Sequence, residues 1–256
     1  VEVNEKLDKE KVISQNLKEE NFELRSENQL LKNDKKHLKD SIKEKWDEDY
    51  LITDFDYGDG MYRVLLSSGT GWSGQAYRWG ENFPAEKVKE LWDRKYRITN
   101  VTYDGSDWIV VMSGDTGISG QKYFLKTDFA DFEKAISEAW KEGYDITKVA
   151  FGNDLYLGVM SKGLDWSQSW WHWPEFPTDE LMKNKKTDGK IITDVFAFGN
   201  KVFAIASGNT GYTKQRFHKN KDFDYLIKLL KNRWDEGYTL TTVSYYKEEW
   251  ILVVSK

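Results

Sequence analysis

A set of short residue patterns recurs along this chain of 256 residues and constrains its fold more than any other feature. Each copy carries a Trp, a Tyr four residues later, an Ile-Thr or Leu-Thr pair, an apolar run closed by Ser, and then Gln-x-aromatic. The fourth copy departs from this order, with Lys186 and Lys190 where Trp and Tyr are expected. Self-similarity at one period predicts equivalent units, each packed on the next. The closing serines are 46 or 48 residues apart, at Ser67, Ser113, Ser161, Ser207 and Ser255.

Each unit has the pattern of one short helix and three antiparallel strands. Amphipathic stretches at 85–95 and 131–142 predict helices, and Gly143 and Gly237 stand where a helix ends in a left-handed residue. The run 108–113 is almost wholly apolar, which predicts a central strand buried on both faces. Pairs of Gly, Asp and Asn between the strands predict tight hairpin turns.

We therefore predict a mainly β fold with one short helix per repeat. The unit length favours a propeller-like arrangement of about five βββα units, the last one incomplete. An open stack of hairpin layers is the alternative. The predicted β-repeat domain covers residues 46–256, with repeats at about 46–91, 92–139, 140–185, 186–233 and 234–256.

Residues 1–45 contain no Gly, Pro or Trp and have a different pattern. Leucines spaced by seven fall at heptad position d, and asparagines occupy several a positions, which is typical of a parallel two-stranded coiled coil. We therefore predict a parallel homodimer through this segment, the alternative being one amphipathic helix packed on its own domain. The predicted dimerisation residues are Leu17, Asn21, Leu24, Asn28, Leu31 and Leu38.

The recurring residues resemble a known repeat. The order Trp-x3-Tyr-x-Ile-Thr, an apolar run ending in Val-Met-Ser, then Gly and Gln-x-Tyr is similar to an uncharacterised domain. That domain forms the C-terminal extension of plant casein-kinase-like protein kinases and occurs in bacterial multidomain proteins. The resemblance covers about residues 42–256 and is clearest between Trp92 and Tyr123. It implies an accessory recognition or regulatory module beside a separate effector domain, with no catalytic residue to carry over.

Composition excludes several classes of function. The chain has no Cys and only three His, so thiolate metal sites and cysteine nucleophiles are absent, and we expect no metal, cofactor or catalytic site. A net charge of −5 argues against nucleic acid as a partner. No apolar run approaches the ~18 residues that a membrane span needs. Because the chain begins at Val1, we expect a piece of a longer protein with an effector domain upstream. We expect the protein to be cytoplasmic.

Tryptophans outside the repeat template indicate where a partner would bind. They lie in the loop and third strand of repeats one and three, and adjacent residues of a strand point to opposite faces, so these rings cannot all be buried. Packing between units is the other interpretation. We predict a non-catalytic module that binds a protein or peptide; a carbohydrate-binding repeat protein is the alternative. The predicted partner-binding residues are Trp72, Gln75, Trp79, Trp166, Gln168, Trp171 and Trp173.

Overall fold

The computed structural model describes residues 28–33, 35–164, 168–173, 190–198 and 201–256. Within these ranges the protein is mainly β and forms five small antiparallel sheets, here called sheets I to V. The strands are β1 (Asn28–Asn33), β2 (Leu51–Gly58) and β3 (Met61–Ser67) in sheet I; β4 (Gln75–Gly80), β5 (Arg97–Tyr103) and β6 (Trp108–Ser113) in sheet II; β7 (Gly120–Lys126), β8 (Asp145–Gly152) and β9 (Leu155–Lys162) in sheet III; β10 (Gln168–Trp173), β11 (Ile191–Phe198) and β12 (Lys201–Ser207) in sheet IV; and β13 (Gln215–Asn220), β14 (Thr239–Tyr246) and β15 (Glu249–Ser255) in sheet V.

All five sheets share one strand order. The last strand of each sheet in the chain lies in the middle, between the first and second strands. The middle strand is the apolar run that ends in Ser, and in β6 every residue is buried, which confirms the prediction of a central strand. A tight turn joins it to the second strand; in sheet I both turn residues, Asp59 and Gly60, have positive φ, as such hairpins require.

The structural unit begins at the Gln strand, not at the helix. Gln75 lies opposite Ser113, so the strand that follows each loop belongs to the next sheet. The predicted repeat boundaries are therefore out of phase with the sheets. The prediction that the last unit is incomplete was wrong, because sheet V has three strands and β1 provides the third strand of sheet I. Asn28 lies opposite Ser67, in the register position that Gln occupies in the other sheets.

Where the structure describes the segment predicted as a coiled coil, at residues 28–33 and 35–45, it shows a strand followed by a helix. Asn28–Asn33 forms a strand paired with β3, so Asn28 and Leu31 are not on a helix. Helix α1 (Lys35–Asp47) packs on its own sheet, where Leu38 and Ile42 have no exposed surface. A buried Leu38 cannot face a second chain. The other predicted dimerisation residues, Leu17, Asn21 and Leu24, lie outside the described residues.

Three further helices precede the second strands of their sheets: α2 (Ala85–Asp93), α3 (Phe129–Lys141) and α4 (Phe223–Asp235). Gly143 and Gly237 follow α3 and α4 with positive φ, as predicted, and Asp49 and Lys95 adopt the same conformation after α1 and α2. No helix among the described residues is long and apolar enough to cross a membrane.

Five apolar cores lie between neighbouring sheets. Each core combines inner residues of one sheet with residues of the next sheet's middle strand, and in four of the five cores a helix contributes as well. The second strands also contact one another in the order β2, β5, β8, β11, β14 and back to β2. Contacts therefore run from sheet I to sheet V and return to sheet I. Representative pairs across the five cores are Val64 with Ile109, Val110 with Leu157, Met160 with Ile205, Val202 with Ile251, and Leu252 with Leu65.

Candidate functional site

The recurring Gln joins neighbouring sheets through its side-chain amide. Oε1 of Gln75 accepts the indole N–H of Trp46 at 3.1 Å and the backbone N–H of Ile52 at 2.7 Å. Its Nε2 donates to the carbonyl of Ile52 at 2.8 Å and to Oγ of Ser113 at 2.9 Å. An amide has two donor hydrogens and two acceptor lone pairs, so this residue uses its full capacity inside the protein.

The same set of hydrogen bonds, which we call the Gln clip, recurs in other sheets. Gln121 binds Trp92, Ile98 and Ser161 through four equivalent hydrogen bonds. Gln215 binds Ile192 and Ser255 in the same way. The amide of Gln75 therefore has a structural role inside the protein, and the expectation that Gln75 is a polar anchor for a partner stays a prediction. Gln168 holds the matching strand position opposite Ser207, and its side chain lies outside what the structure describes.

The Ile-Thr pair produces a β-bulge in every second strand. The register shifts on either side of the Thr, between Ile52 and Asp54 in sheet I and at the matching position in the other four. The Thr hydroxyl then lies beside the hydroxyl of the closing Ser, as in Thr53 with Ser67 at 2.8 Å. A bulge redirects the residue that follows it. The recurring Trp, Ile-Thr, Ser and Gln thus hold the sheets together, and chemistry that differs between units must come from other positions.

The residue after each bulge faces the centre of the five sheets. These positions are Asp54, Asn100, Lys148, Asp194 and Thr242, one from each second strand. Nζ of Lys148 lies 3.1 Å from Asp54 and 3.3 Å from Asp194. Nδ2 of Asn100 donates to Asp54 at 2.7 Å, and the Thr242 hydroxyl donates to Asp194 at 3.3 Å. Five residues of four different types therefore form one polar network at equivalent positions.

A second carboxylate of the same strand lies next to this network. Asp56 accepts the backbone N–H of Tyr245 at 2.8 Å and the hydroxyl of Thr102 at 3.3 Å. Burial raises the pKa of Asp56 to about 7, and the charge of Asp54 acts in the same direction. Burial also raises the pKa of Asp194 to about 6, although Lys148 opposes it. These two carboxyl groups therefore titrate near neutral pH.

A cavity of about 90 Å³ lies among these side chains and is lined by all five second strands. Burial by itself lowers the pKa of Lys148, but Asp194 and Asp54 outweigh it and the pKa is raised above its usual value. The ammonium is therefore charged at neutral pH. Among the described residues, no group of three or more His, Asp or Glu is placed to hold a metal ion. The sequence signal for this centre is the variable residue directly after each Ile-Thr or Leu-Thr pair, which does not belong to the recurring pattern.

Trp79 is part of a core rather than a free surface. Its ring packs in the cluster beneath helix α1, with centroids 5.3 Å from Tyr77 and 6.2 Å from Tyr62. Nζ of Lys39 lies 5.4 Å from the same ring. Trp79 therefore packs between units, and the expectation that it binds a partner stays a prediction.

Trp72 lies in the loop between β3 and β4 and is only partly buried. It lines a cavity of about 340 Å³ together with Trp46, Asp49 and the polar residues of its own loop. Its backbone N–H donates to Oγ1 of Thr70 at 3.2 Å, which fixes the loop around the ring. Of the predicted partner-binding residues whose side chains the structure describes, Trp72 and Gln75 line this groove.

The same loop position carries an apolar residue in other units. The backbone N–H groups of Ile118 and Tyr212 donate to Thr116 and Thr210 at 3.3 Å, as that of Trp72 does to its own Thr. Tyr212 is 39% exposed. Because the sheets are equivalent, these loops emerge at the same end of the sheets, which we call the loop end. Trp166 lies outside the described residues; Trp171 and Trp173 lie on β10, opposite Ala204 and Val202, and their side chains are not described.

Comparison with known proteins agrees with the repeat. No curated protein matched the chain. One family model, described as "Domain of unknown function (DUF7477)", matched twice, over residues 24–156 and 116–256. The two matches overlap and together include every described strand, as expected for a model that fits equivalent units. The chain therefore belongs to the DUF7477 family.

Proposed function

We propose that this protein is a non-catalytic recognition module that binds a peptide segment of another protein across its loop end. The supporting observation is the apolar or aromatic residue in the loops after three middle strands, β3, β6 and β12. A Thr hydroxyl holds each of these loops, and Trp72, Ile118 and Tyr212 are left partly or largely exposed. The clips between sheets do not use these side chains. Clustered exposed aromatic residues are typical of binding surfaces.

The arrangement of the sheets also supports this role. We infer that the five sheets form a propeller-like ring, because the second strands contact one another in a cycle and a core joins sheet V to sheet I. Such a ring presents the loops of all units at one end, so that a single extended ligand can contact several of them. Rigid sheets with loops at their ends are a frequent platform for recognition.

The resemblance to the C-terminal extension of plant casein-kinase-like kinases supports an accessory role beside an effector domain. In this proposal the module works in the cytoplasm and brings a partner to that effector. Its acidic net charge favours protein over nucleic acid as the partner. Recognition of this kind needs no reacting group, which agrees with the structural use of the recurring residues.

The test is a selection of random linear peptides, displayed on phage, for binding to the whole purified chain. The affinity of the selected peptides is then measured by fluorescence anisotropy for the parent and for Trp72→Ala and Tyr212→Ala. Each substitution is expected to weaken binding by about tenfold or more, since truncation of an aromatic anchor costs over 1.4 kcal/mol. The melting temperature should change little, because neither ring belongs to a core cluster.

Tyr225 provides the matched control. It is 48% exposed and lies on helix α4, away from the loop end. Tyr225→Ala should leave peptide affinity unchanged. Equal losses of peptide affinity in Tyr212→Ala and Tyr225→Ala would contradict the proposal. So would peptide binding that neither Trp72→Ala nor Tyr212→Ala weakens.

A carbohydrate ligand is the second candidate, and one observation favours it. The cavity beside Trp72 combines an indole ring with the hydroxyls of Thr70 and Ser73 and the carboxylate of Asp49, groups that stack on and hydrogen-bond to sugars. A glycan array on the same chain separates the two. Binding to the array that free sugar inhibits, and that the Trp72→Ala variant has lost, would support a carbohydrate ligand. This result would replace the peptide proposal.

A further inference from the structure

The centre of the five sheets holds more negative than positive charge. The charged residues that line the central cavity are Asp54, Asp56, Asp194 and Lys148, which are three carboxylates and one ammonium. The ammonium is already shared between Asp54 and Asp194. No positive side chain among those described lies within ion-pairing distance of Asp56. Charge enclosed in this way is unfavourable unless a cation or a proton compensates for it.

An unpartnered acceptor lies in the same cavity. Asn100 is 1% exposed, and its Nδ2 donates to Asp54, yet its Oδ1 has no hydrogen-bond partner. A buried carbonyl oxygen without a donor is rare in folded proteins and indicates that a donor is missing. The unpartnered oxygen is an observation independent of the excess negative charge. A cation that carries N–H donors would satisfy both.

The cavity has room for such a group. Its volume of about 90 Å³ equals that of roughly three water molecules in the liquid. A guanidinium is planar and presents five N–H donors, so it can serve a carboxylate and a neutral oxygen at once. Its weak hydration also lowers the free energy needed to take it out of water.

We propose that the central cavity is a binding site for a guanidinium group, held between Asp56 and Oδ1 of Asn100. The site lies at the second strands and is separate from the loop end, so it does not depend on the peptide proposal above. The guanidinium is either a free small molecule or the side chain of an arginine that a partner inserts. Lys148 holds the two remaining carboxylates in place and limits the site to a single added positive charge.

Isothermal titration calorimetry of the whole chain with methylguanidinium chloride tests the proposal, with sodium chloride added to keep the ionic strength constant. One site per chain is expected. Asp56→Asn keeps the shape of the side chain and removes its charge, and it should weaken binding by at least about tenfold. Asp59→Asn, in the exposed β2–β3 turn, is the matched control and should bind as the parent does. Urea, the neutral analogue, should not bind.

A second measurement keeps the test valid if Asp56→Asn fails to fold. In the parent protein, methylguanidinium should shift the side-chain amide resonances of Asn100 in a saturable way, and urea should not. A Gly-Arg-Gly peptide separates the two sources: tighter binding than methylguanidinium indicates an arginine side chain, and weaker binding indicates a free small molecule. No saturable heat and no Asn100 shift with either probe, or equal binding of urea, would overturn the proposal.

Discussion

Val243 on β14 donates its backbone N–H to the carboxylate of Asp54 on β2 at 2.8 Å, across 189 residues of sequence. Two residues further along, Tyr245 donates to Asp56 in the same way. The last sheet is thus bound to the first through side-chain carboxylates of one strand and backbone N–H groups of the other. The same two carboxylates also accept hydrogen bonds from Asn100 and Thr102 of sheet II, so they join sheet I to both of its neighbours.

Arg63 adds a second contact to this junction. Its guanidinium lies 4.1 Å from the ring of Phe223 and 4.6 Å from that of Trp250, and it is 2% exposed. Burial lowers its pKa to about 10, which leaves it charged at neutral pH. We expect Arg63→Ala to lower the free energy of unfolding by about 2–3 kcal/mol, since desolvated cation–π pairs are stronger than exposed ones. Urea denaturation followed by tryptophan fluorescence measures this.

Arg94 is the control for that prediction. It pairs with the ring of Tyr96 at 5.5 Å on the surface, so Arg94→Ala should cost less than about 1 kcal/mol. Similar losses in the two variants would mean that burial between sheets V and I adds nothing to the Arg63 contact.

The central ion pairs make Lys148 sensitive to substitution. Lys148→Met removes the one positive charge among the described residues that pairs with Asp54 and Asp194, and it should cost about 3–5 kcal/mol of unfolding free energy. Replacing both carboxylates as well, in Asp54→Asn/Lys148→Met/Asp194→Asn, should restore much of that loss because no uncompensated charge remains. A triple variant as unstable as Lys148→Met would show that packing, not charge, sets the cost.

The raised pKa of Asp56 predicts that the stability of the folded protein depends on pH. Its pKa is about 7 in the folded protein and near 4 when unfolded, so between these values the folded state binds more protons. Stability that Asp56 contributes in acid is therefore lost as the pH rises from about 4 to about 7. The pKa of Asp194 is also raised. The other ionisable groups that face the same cavity are Asp54 and Lys148. Melting temperatures between pH 5 and 8 should fall less steeply for Asp56→Asn than for the parent.

The control for this measurement is Asp59→Asn, which removes a carboxylate from an exposed turn. It should keep the slope of the parent. Parallel slopes for all three proteins would contradict the raised pKa of Asp56.

The Gln clip predicts a large effect from a substitution of nearly equal size. Gln121→Met leaves the indole N–H of Trp92, both backbone groups of Ile98 and the hydroxyl of Ser161 without their partner. We expect a loss of about 3 kcal/mol in the free energy of unfolding, measured in urea. Lys87→Met, on the exposed side of α2, should stay within about 0.5 kcal/mol of the parent. A small effect at Gln121 would mean that water replaces the amide.

Several features of the fold could be predicted because they depend on local chemistry. The buried run from Trp108 to Ser113 and the left-handed residues after α3 and α4 were read correctly from apolar pattern and glycine. The hydrogen bonds of the Gln side chain could not be predicted, because its partners lie 23 to 40 residues away, the Ile in the preceding sheet and the Ser on another strand of the same sheet. Leu38 was misread as an interface residue, because a leucine in a heptad looks the same whether it faces another chain or its own sheet.

The amino-acid sequence by itself determined the repeat, its helix and strand types and its buried central strands, since these follow from periodicity and turn chemistry within one unit. Only the tertiary structure decided where a unit begins, that β1 completes sheet I, and that the five residues after the bulges, which are of four types, meet at one centre. The physical reason is distance along the chain. A bulge turns each side chain inward locally, but which charges then meet depends on how all five sheets pack.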